Sequence, residues 1–217
     1  MKPSQKTIKH ILETLDRLYP WDGRCFLDYK TPWQLLFATI LSAQCTDDRV
    51  NLVTADLYKK YPSLESFASA DLSDLERMVH STGFFRAKAR NLQNAAKMLL
   101  NEHNGNMPSD IDALTSLPGV GRKTANVVRS HIFDIPSIVV DTHVIRVSGR
   151  LGITIHKDPV KIEFDLMDKL PKSYWIRYNQ QVITHGRKVC IARGPRCAEC
   201  ELYKYCVSTD KGIDKGD

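Results

Sequence analysis

The stretch LTSLPGVGRKTANVV, residues 114–128, sets a proline, two glycines and a basic pair between apolar segments. Pro118 ends one helix, because its ring removes a backbone donor and clashes with the preceding turn. Gly119 and Gly121 permit a tight turn with positive φ or close backbone approach. Helical spacing resumes at once in RKTANVVRSHIF, residues 122–133. The first N–H groups of this second helix have no internal acceptor. A helix-hairpin-helix turn presents them to an anion, and DNA phosphate is the natural one. The plainer alternative is an ordinary corner between two helices. Glycine at both turn positions, with Arg122 alongside, argues against it.

Lys123 lies one or two residues inside the second helix. The positive end of the helix dipole and the neighbouring Arg122 both favour a neutral, nucleophilic amine there. Simple phosphate binding is the blander role for the same lysine. Eighteen residues later, SIVVDTHVIRVSGRLG (137–152) places Asp141 between an apolar run and a further helix. On that helix Val144, Val147 and Leu151 share one face, and Arg146 and Arg150 share another. Asp141 suits an N-cap, and it equally suits a carboxylate aimed into a cleft beside Lys123. Position alone does not separate the two.

Most segments alternate at helical spacing and no sustained β-pattern appears, so the chain reads as all-α. Thr31, Pro32 and Gln34 supply an N-cap, a first-turn proline and a capping box for TPWQLLFATILSAQ. Ser73 and Glu76 suggest the same for SDLERMVHSTG, with Gly83 as its stop. FRAKARNLQNAAKMLLNEHNG reads as a long amphipathic helix ending at Gly105, and SDIDALTSL as a short one cut at Pro118. Prolines punctuate about ten helices in all, and the last few residues read as a frayed end. The apolar runs, such as LLFA at 35–38, are far too short to span a membrane. The opening MKPSQKTIKHILETL has no apolar block or cleavage-like site. The expectation is therefore a cytoplasmic, nucleoid-associated protein.

The 217-residue chain carries a net charge of +6, which favours a polyanionic partner. From Lys169 to Ala198 there are seven Lys or Arg residues and no Asp or Glu. A window of one sign suits a phosphate backbone. Six cysteines in a reducing compartment do not read as three disulfides. Cys25 and Cys45 are isolated thiols, whereas Cys190, Cys197, Cys200 and Cys206 crowd together as CIARGPRCAECELYKYC. Four thiolates hold either zinc or an iron–sulfur cluster. Only Cys197 and Cys200 form a tight knuckle of the zinc kind, and spacing alone leaves both metals open.

LPGVGRKTA followed by VVDTHVIRV resembles the helix-hairpin-helix, Gly/Pro loop and aspartate signature of the endonuclease III family of DNA base-excision glycosylases. ILSAQCTD at 40–47 and GFFRAKA at 83–89 resemble two further segments of that family, in the same order along essentially the whole chain. The resemblance implies two all-α lobes with DNA crossing the cleft. A six-helix barrel with the hairpin spans 25–135, and a second lobe joins 1–24 to 136–217 with the cluster. It implies a [4Fe-4S] cluster on Cys190, Cys197, Cys200 and Cys206, with damaged double-stranded DNA as the partner of a monomer. It further implies a bifunctional glycosylase and lyase acting on oxidised pyrimidines. Lys123 attacks C1′, and Asp141 stabilises positive charge on the sugar and assists deprotonation of the lysine.

Gly119, Val120, Gly121 and Arg122 are the DNA-facing hairpin residues on this resemblance. Arg193 and Arg196, between the first two cysteines, face the backbone, and Arg146 and His143 are further DNA contacts. Gln44 and Phe84 are the candidate wedges that fill the gap left by a flipped nucleotide. Relatives commonly carry leucine at the position of Phe84, and core packing of Phe84 or Phe85 is the rival reading. Some relatives have another basic residue where this chain has Gly194, and its absence is expected to weaken one phosphate contact. Three other readings remain at this stage. An adenine-mismatch glycosylase typically lacks the lysine at position 123 and carries an extra C-terminal domain. A non-enzymatic iron–sulfur DNA-binding protein would not depend on Lys123. A zinc-stabilised module would be colourless.

Overall fold

The computed structural model of the chain describes residues 3–209; the last residues, read as a frayed end, lie outside them. Among the described residues there is no strand, and eleven α-helices follow one another. In chain order they are α1 (Gln5–Leu18), α2 (Pro32–Leu41), α3 (Asp47–Lys60), α4 (Leu64–Ala68), α5 (Leu72–Val79) and α6 (Phe85–His103). Then come α7 (Ile111–Ser116), α8 (Arg122–Ile132), α9 (Thr142–Arg150), α10 (Pro159–Lys169) and α11 (Trp175–Lys188). The chain divides into two compact units, Cys25–Ile135 and the pair Met1–Arg24 with Pro136–Asp217.

In the continuous unit, α2 is the central helix: Leu35, Leu36, Phe37, Ala38 and Leu41 are fully buried. It starts where the sequence suggests, with Pro32 in the first turn and the Gln34 carboxamide oxygen accepting from the Lys30 and Thr31 N–H groups. Trp33, Phe37, Tyr58 and Phe67 pack edge to face around it, with ring centroids 4.9 Å apart for Phe37 and Phe67. Such pairs add about 0.5–1.5 kcal/mol beyond the area they bury. α8 packs on α2, and α4 and α5 pack on α6.

One helix start differs from the sequence reading. The N-cap of α5 is Asp71, which accepts from the Asp74 N–H, while Ser73 lies inside the helix and donates its hydroxyl to Asp71 at 2.5 Å. A carboxylate two residues upstream of the serine makes the better acceptor at a helix N-terminus.

Asp74 on α5 ties back to the end of α3, accepting from Lys60 at 2.5 Å and from the Tyr61 hydroxyl at 2.5 Å. These two donors hold the Asp74 carboxyl below its ordinary range. Its stabilising contribution is present above the unfolded value and is lost as pH falls through the lower native one. Asp74→Asn should therefore lower Tm near neutrality. The gap to wild type should close in thermal melts taken progressively below pH about 3.9.

In the discontinuous unit, α1 buries Ile8, Ile11, Leu12 and Leu15, one stripe at helical spacing, in contact with α11. Each such side chain contributes about 1.5–3 kcal/mol on burial. α9 meets α11 through a fully buried hydroxyl pair, Ser148 Oγ to Tyr178 OH at 2.8 Å. The extended segment before α9 is pinned by Asn179, whose Nδ2 donates to the Val139 carbonyl at 3.0 Å. That bond fixes the approach of the chain to Asp141.

Candidate active site and cysteine centre

The hairpin forms from α7 and α8 as the sequence indicates, but its two glycines do different work. Gly119 has φ +80°, and a Cβ there would come within 2.7 Å of the Asn91 side chain on α6. Both conformation and close approach demand glycine at that point. Gly121, by contrast, is extended (φ −92°, ψ 174°) and serves as the N-cap of α8. A Cβ at Gly121 would meet nothing within 4 Å. The expectation of positive φ or close approach thus holds for Gly119 alone. What glycine provides at 121 is an unobstructed helix N-terminus with no side-chain cap.

Val120 closes the turn, its N–H donating to the Leu117 carbonyl at 3.0 Å, and its side chain is buried. Only its backbone is left to face a ligand. Arg122 is half-buried, and Lys123 is exposed at the second position of α8.

Two further tips belong to the same unit. Gln44, just past α2, and Phe84, just before α6, are both in the left-handed region, with φ 54° and 47°. Non-glycine residues adopt that conformation rarely. Gln44 is exposed, and Phe84 is 67% exposed, while Phe85 packs against the core. The rivalry between the neighbouring phenylalanines is thereby resolved: Phe84 points outward and Phe85 inward. One residue that sequence reading passed over lies beneath these tips. Lys88 is 4% exposed, and its ammonium is enclosed by backbone. Within GFFRAKA, nothing in the residue types marks this lysine as buried.

In the other unit, Asp141 is the N-cap of α9: its Oδ1 accepts from the Val144 N–H at 2.8 Å. The capping reading is realised, and it occupies one of the two carboxylate oxygens. Arg146 is held by partners within the protein. Its guanidinium donates to the Cys190 carbonyl and to the Gly186 carbonyl, both at 3.1 Å, and its Nη2 lies 3.1 Å from His143 Nδ1. Its Nε and Nη2 donors are committed inside the protein, where the face it shares with Arg150 meets α11 and the cysteine loop. His143 is half-buried against it. Gly186 allows this approach, since a Cβ there would lie 2.6 Å from His143 and 2.9 Å from Arg146.

The four cysteines Cys190, Cys197, Cys200 and Cys206 line a single cavity, together with Arg150, His185 and Arg196. None of the four is in a disulfide. Arg150 donates to Cys190 Sγ at 3.4 Å and to the carbonyls of Ile191 at 2.8 Å and Ala192 at 3.2 Å. Burial, together with the three neighbouring sulfurs, pushes the Cys200 thiol up. His185 lies 3.7 Å from Cys200 Sγ and 3.0 Å from the Tyr19 hydroxyl, and burial holds its imidazole down at about 4.

Four sulfurs around one space, with guanidinium groups beside them, suit an anionic tetrathiolate centre. Among the described residues, no three His, Cys, Asp or Glu side chains form a group placed to hold a single metal ion. The loop between the first two cysteines exposes Arg193 and Arg196. Gly194 at its tip has φ +64°, a conformation that a basic side chain adopts only with strain.

Comparison with known proteins agrees with these features. The profile of the HhH-GPD superfamily base excision DNA repair proteins matches residues 37–172. Endonuclease III of Synechocystis sp. is 49% identical over 209 residues, covering 96% of this chain and 95% of that protein. Endonuclease III of Bacillus subtilis is 44% identical, covering 97% of this chain and 96% of that protein. A solved endonuclease III–DNA covalent intermediate, trapped as an estranged-adenine complex, superimposes with a TM-score of 0.90 at 42% identity. It covers 94% of this chain and 96% of that one. No helix among the described residues is long and apolar enough to cross a membrane. With its hairpin, its aspartate-capped helix and these relatives, the chain belongs to the HhH-GPD superfamily of base excision DNA repair proteins, within the endonuclease III family of DNA glycosylases and AP lyases.

Proposed function

We propose that this enzyme removes oxidised pyrimidines from duplex DNA through a Schiff base on Lys123 and then cuts the strand 3′ to the lesion by β-elimination. The observation that carries the reading is the placement of Lys123, exposed on the first turn of a helix whose N-terminus has no side-chain cap. The trapped covalent intermediate of the similar endonuclease III supports it.

In the proposed reaction, backbone N–H groups of the hairpin hold a phosphate of the damaged strand. The flipped nucleotide presents C1′ to the Lys123 amine. A bond forms from the neutral Nζ amine to C1′ while the C1′–N bond to the base breaks, and the proton that Nζ sheds neutralises the departing base. Ring opening gives an iminium. Loss of a C2′ proton then expels the 3′ phosphate. The Asp141 carboxylate stabilises positive charge as it develops on the sugar. Gln44 and Phe84 occupy the gap left in the stack.

The four cysteines, which line one cavity beside Arg150 and Arg196, would hold a [4Fe-4S] cluster, as the resemblance to the endonuclease III family implies. A cluster bound there would fix the loop, and Arg193 and Arg196, both exposed on it, would meet the backbone. Cys200→Ser should lose both the brown colour and the bound iron. Replacing Arg193 and Arg196 by alanine should weaken binding to all duplexes alike. It should also flatten the log–log salt dependence by about 0.9 per lost phosphate contact. An unchanged slope would place both arginines away from DNA.

Borohydride trapping on a duplex containing thymine glycol tests the reaction itself. A covalent protein–DNA adduct is expected. No adduct from protein with intact iron and intact duplex binding would overturn the Schiff-base route in favour of a monofunctional glycosylase or a non-enzymatic binding protein.

A further inference from the structure

Lys88 lies in the first turn of α6 with its ammonium enclosed. Its Nζ donates to the Leu41 carbonyl at 2.8 Å, the Ala43 carbonyl at 2.8 Å and the Thr82 carbonyl at 2.7 Å. An ammonium has three donors, and here each takes one main-chain acceptor. Leu41 ends α2 and Ala43 immediately precedes Gln44, while Thr82 lies two residues before Phe84. One buried cation thus joins the roots of the two tips that hold left-handed φ values. An ordinary core position would carry Leu or Met, and either would leave the three carbonyls without this donor.

The chain places about forty residues between Gln44 and Phe84, so their spacing is not set by local backbone. Successive bases on a strand are separated by about 3.4 Å along the helix axis. Two side chains that fill one vacated gap must therefore be held to well within that distance. Left-handed non-glycine residues persist only where surrounding contacts enforce them. Here the carbonyls just before Gln44 and two residues before Phe84 share one donor, the Lys88 ammonium.

We infer that Lys88 is a positioning residue: it locks the Gln44 and Phe84 tips together, so that both enter the duplex as one unit when a nucleotide is flipped. The inference rests on the reading of Gln44 and Phe84 as wedges.

The test is a mutant cycle between Lys88→Met and the pair Gln44→Ala/Phe84→Ala. The readouts are kcat/KM on a thymine-glycol duplex and the fluorescence of 2-aminopurine placed opposite a tetrahydrofuran abasic analogue, which rises as the stack opens. Lys88→Met alone is expected to lower kcat/KM about tenfold and to suppress the fluorescence rise. Added to the double variant, it should cost no more than about twofold further. Equal factors in both backgrounds, or an unaltered fluorescence rise in Lys88→Met, would reduce Lys88 to a packing residue and overturn the inference. A double variant that itself opens the duplex normally would refute the wedges, and positioning with them; that outcome is distinguished by its appearance before Lys88 is changed. If Lys88→Met does not fold, Lys88→Arg keeps a buried cation. Its planar fork does not match three converging carbonyls, so the same cycle and the same outcomes apply.

Discussion

Lys123→Gln is expected to give no borohydride-stable adduct with damaged DNA and to slow strand cleavage by at least about 10⁴-fold. The magnitude follows from the role: no other group on the first turn of α8 supplies a nitrogen nucleophile. The same exposure that presents Lys123 to substrate makes its replacement mild for the fold. Glutamine has similar helix propensity, so Tm should stay within about 2 °C of wild type. Affinity for undamaged duplex should fall by no more than about tenfold, the share of one phosphate contact. A stable, DNA-binding variant that forms no adduct separates nucleophile from phosphate ligand. Normal cleavage by that variant would return Lys123 to the blander role.

Asp141→Asn is expected to lower kcat by about 10²- to 10⁴-fold while leaving the protein folded. The side chain has two separable functions here. Its Oδ1 caps α9 by accepting from Val144, and asparagine caps a helix nearly as well. Only the charge is lost, with a small effect on the helix dipole, so Tm should change by no more than about 3 °C. Asp141→Ala removes cap and charge together, and should lose about 0.5–2 kcal/mol of stability as well as the rate. Were Asp141→Asn to retain full rate in single-turnover glycosylase assays, capping would be the whole function of the residue.

What could be read from the sequence depended on whether a residue's role is local. The start of α2 was legible because proline and a capping box act within four residues. The α5 start was misplaced by two positions because Asp71 and Ser73 are both competent caps, and the better acceptor decides. Phe84 and Phe85 are chemically identical neighbours; a left-handed φ at the first sends them to opposite sides, and no residue type announces it. Spacing shows that Arg146 and Arg150 share a helix face, but not that this face meets α11 and the cysteine loop. Lys88 was invisible for the same reason, since its three partners lie six and more than forty residues away. The cysteine spacing suggested a ligand set, and the structure adds that the four cysteines line one cavity.

The division of the chain also bears on its synthesis. α1 buries its apolar stripe in the unit whose other helices lie beyond residue 135, and its partner α11 begins at Trp175. At about 5–20 residues per second, some 150 residues of translation keep that stripe waiting for about 8–30 s. The continuous unit needs no such delay, because all of its core lies between Leu27 and Val128. On the ribosome the hairpin-bearing half can therefore assemble first. During that interval the first helix is a solvent-exposed amphipathic segment, available to chaperones and proteases until the last helix emerges to cover it.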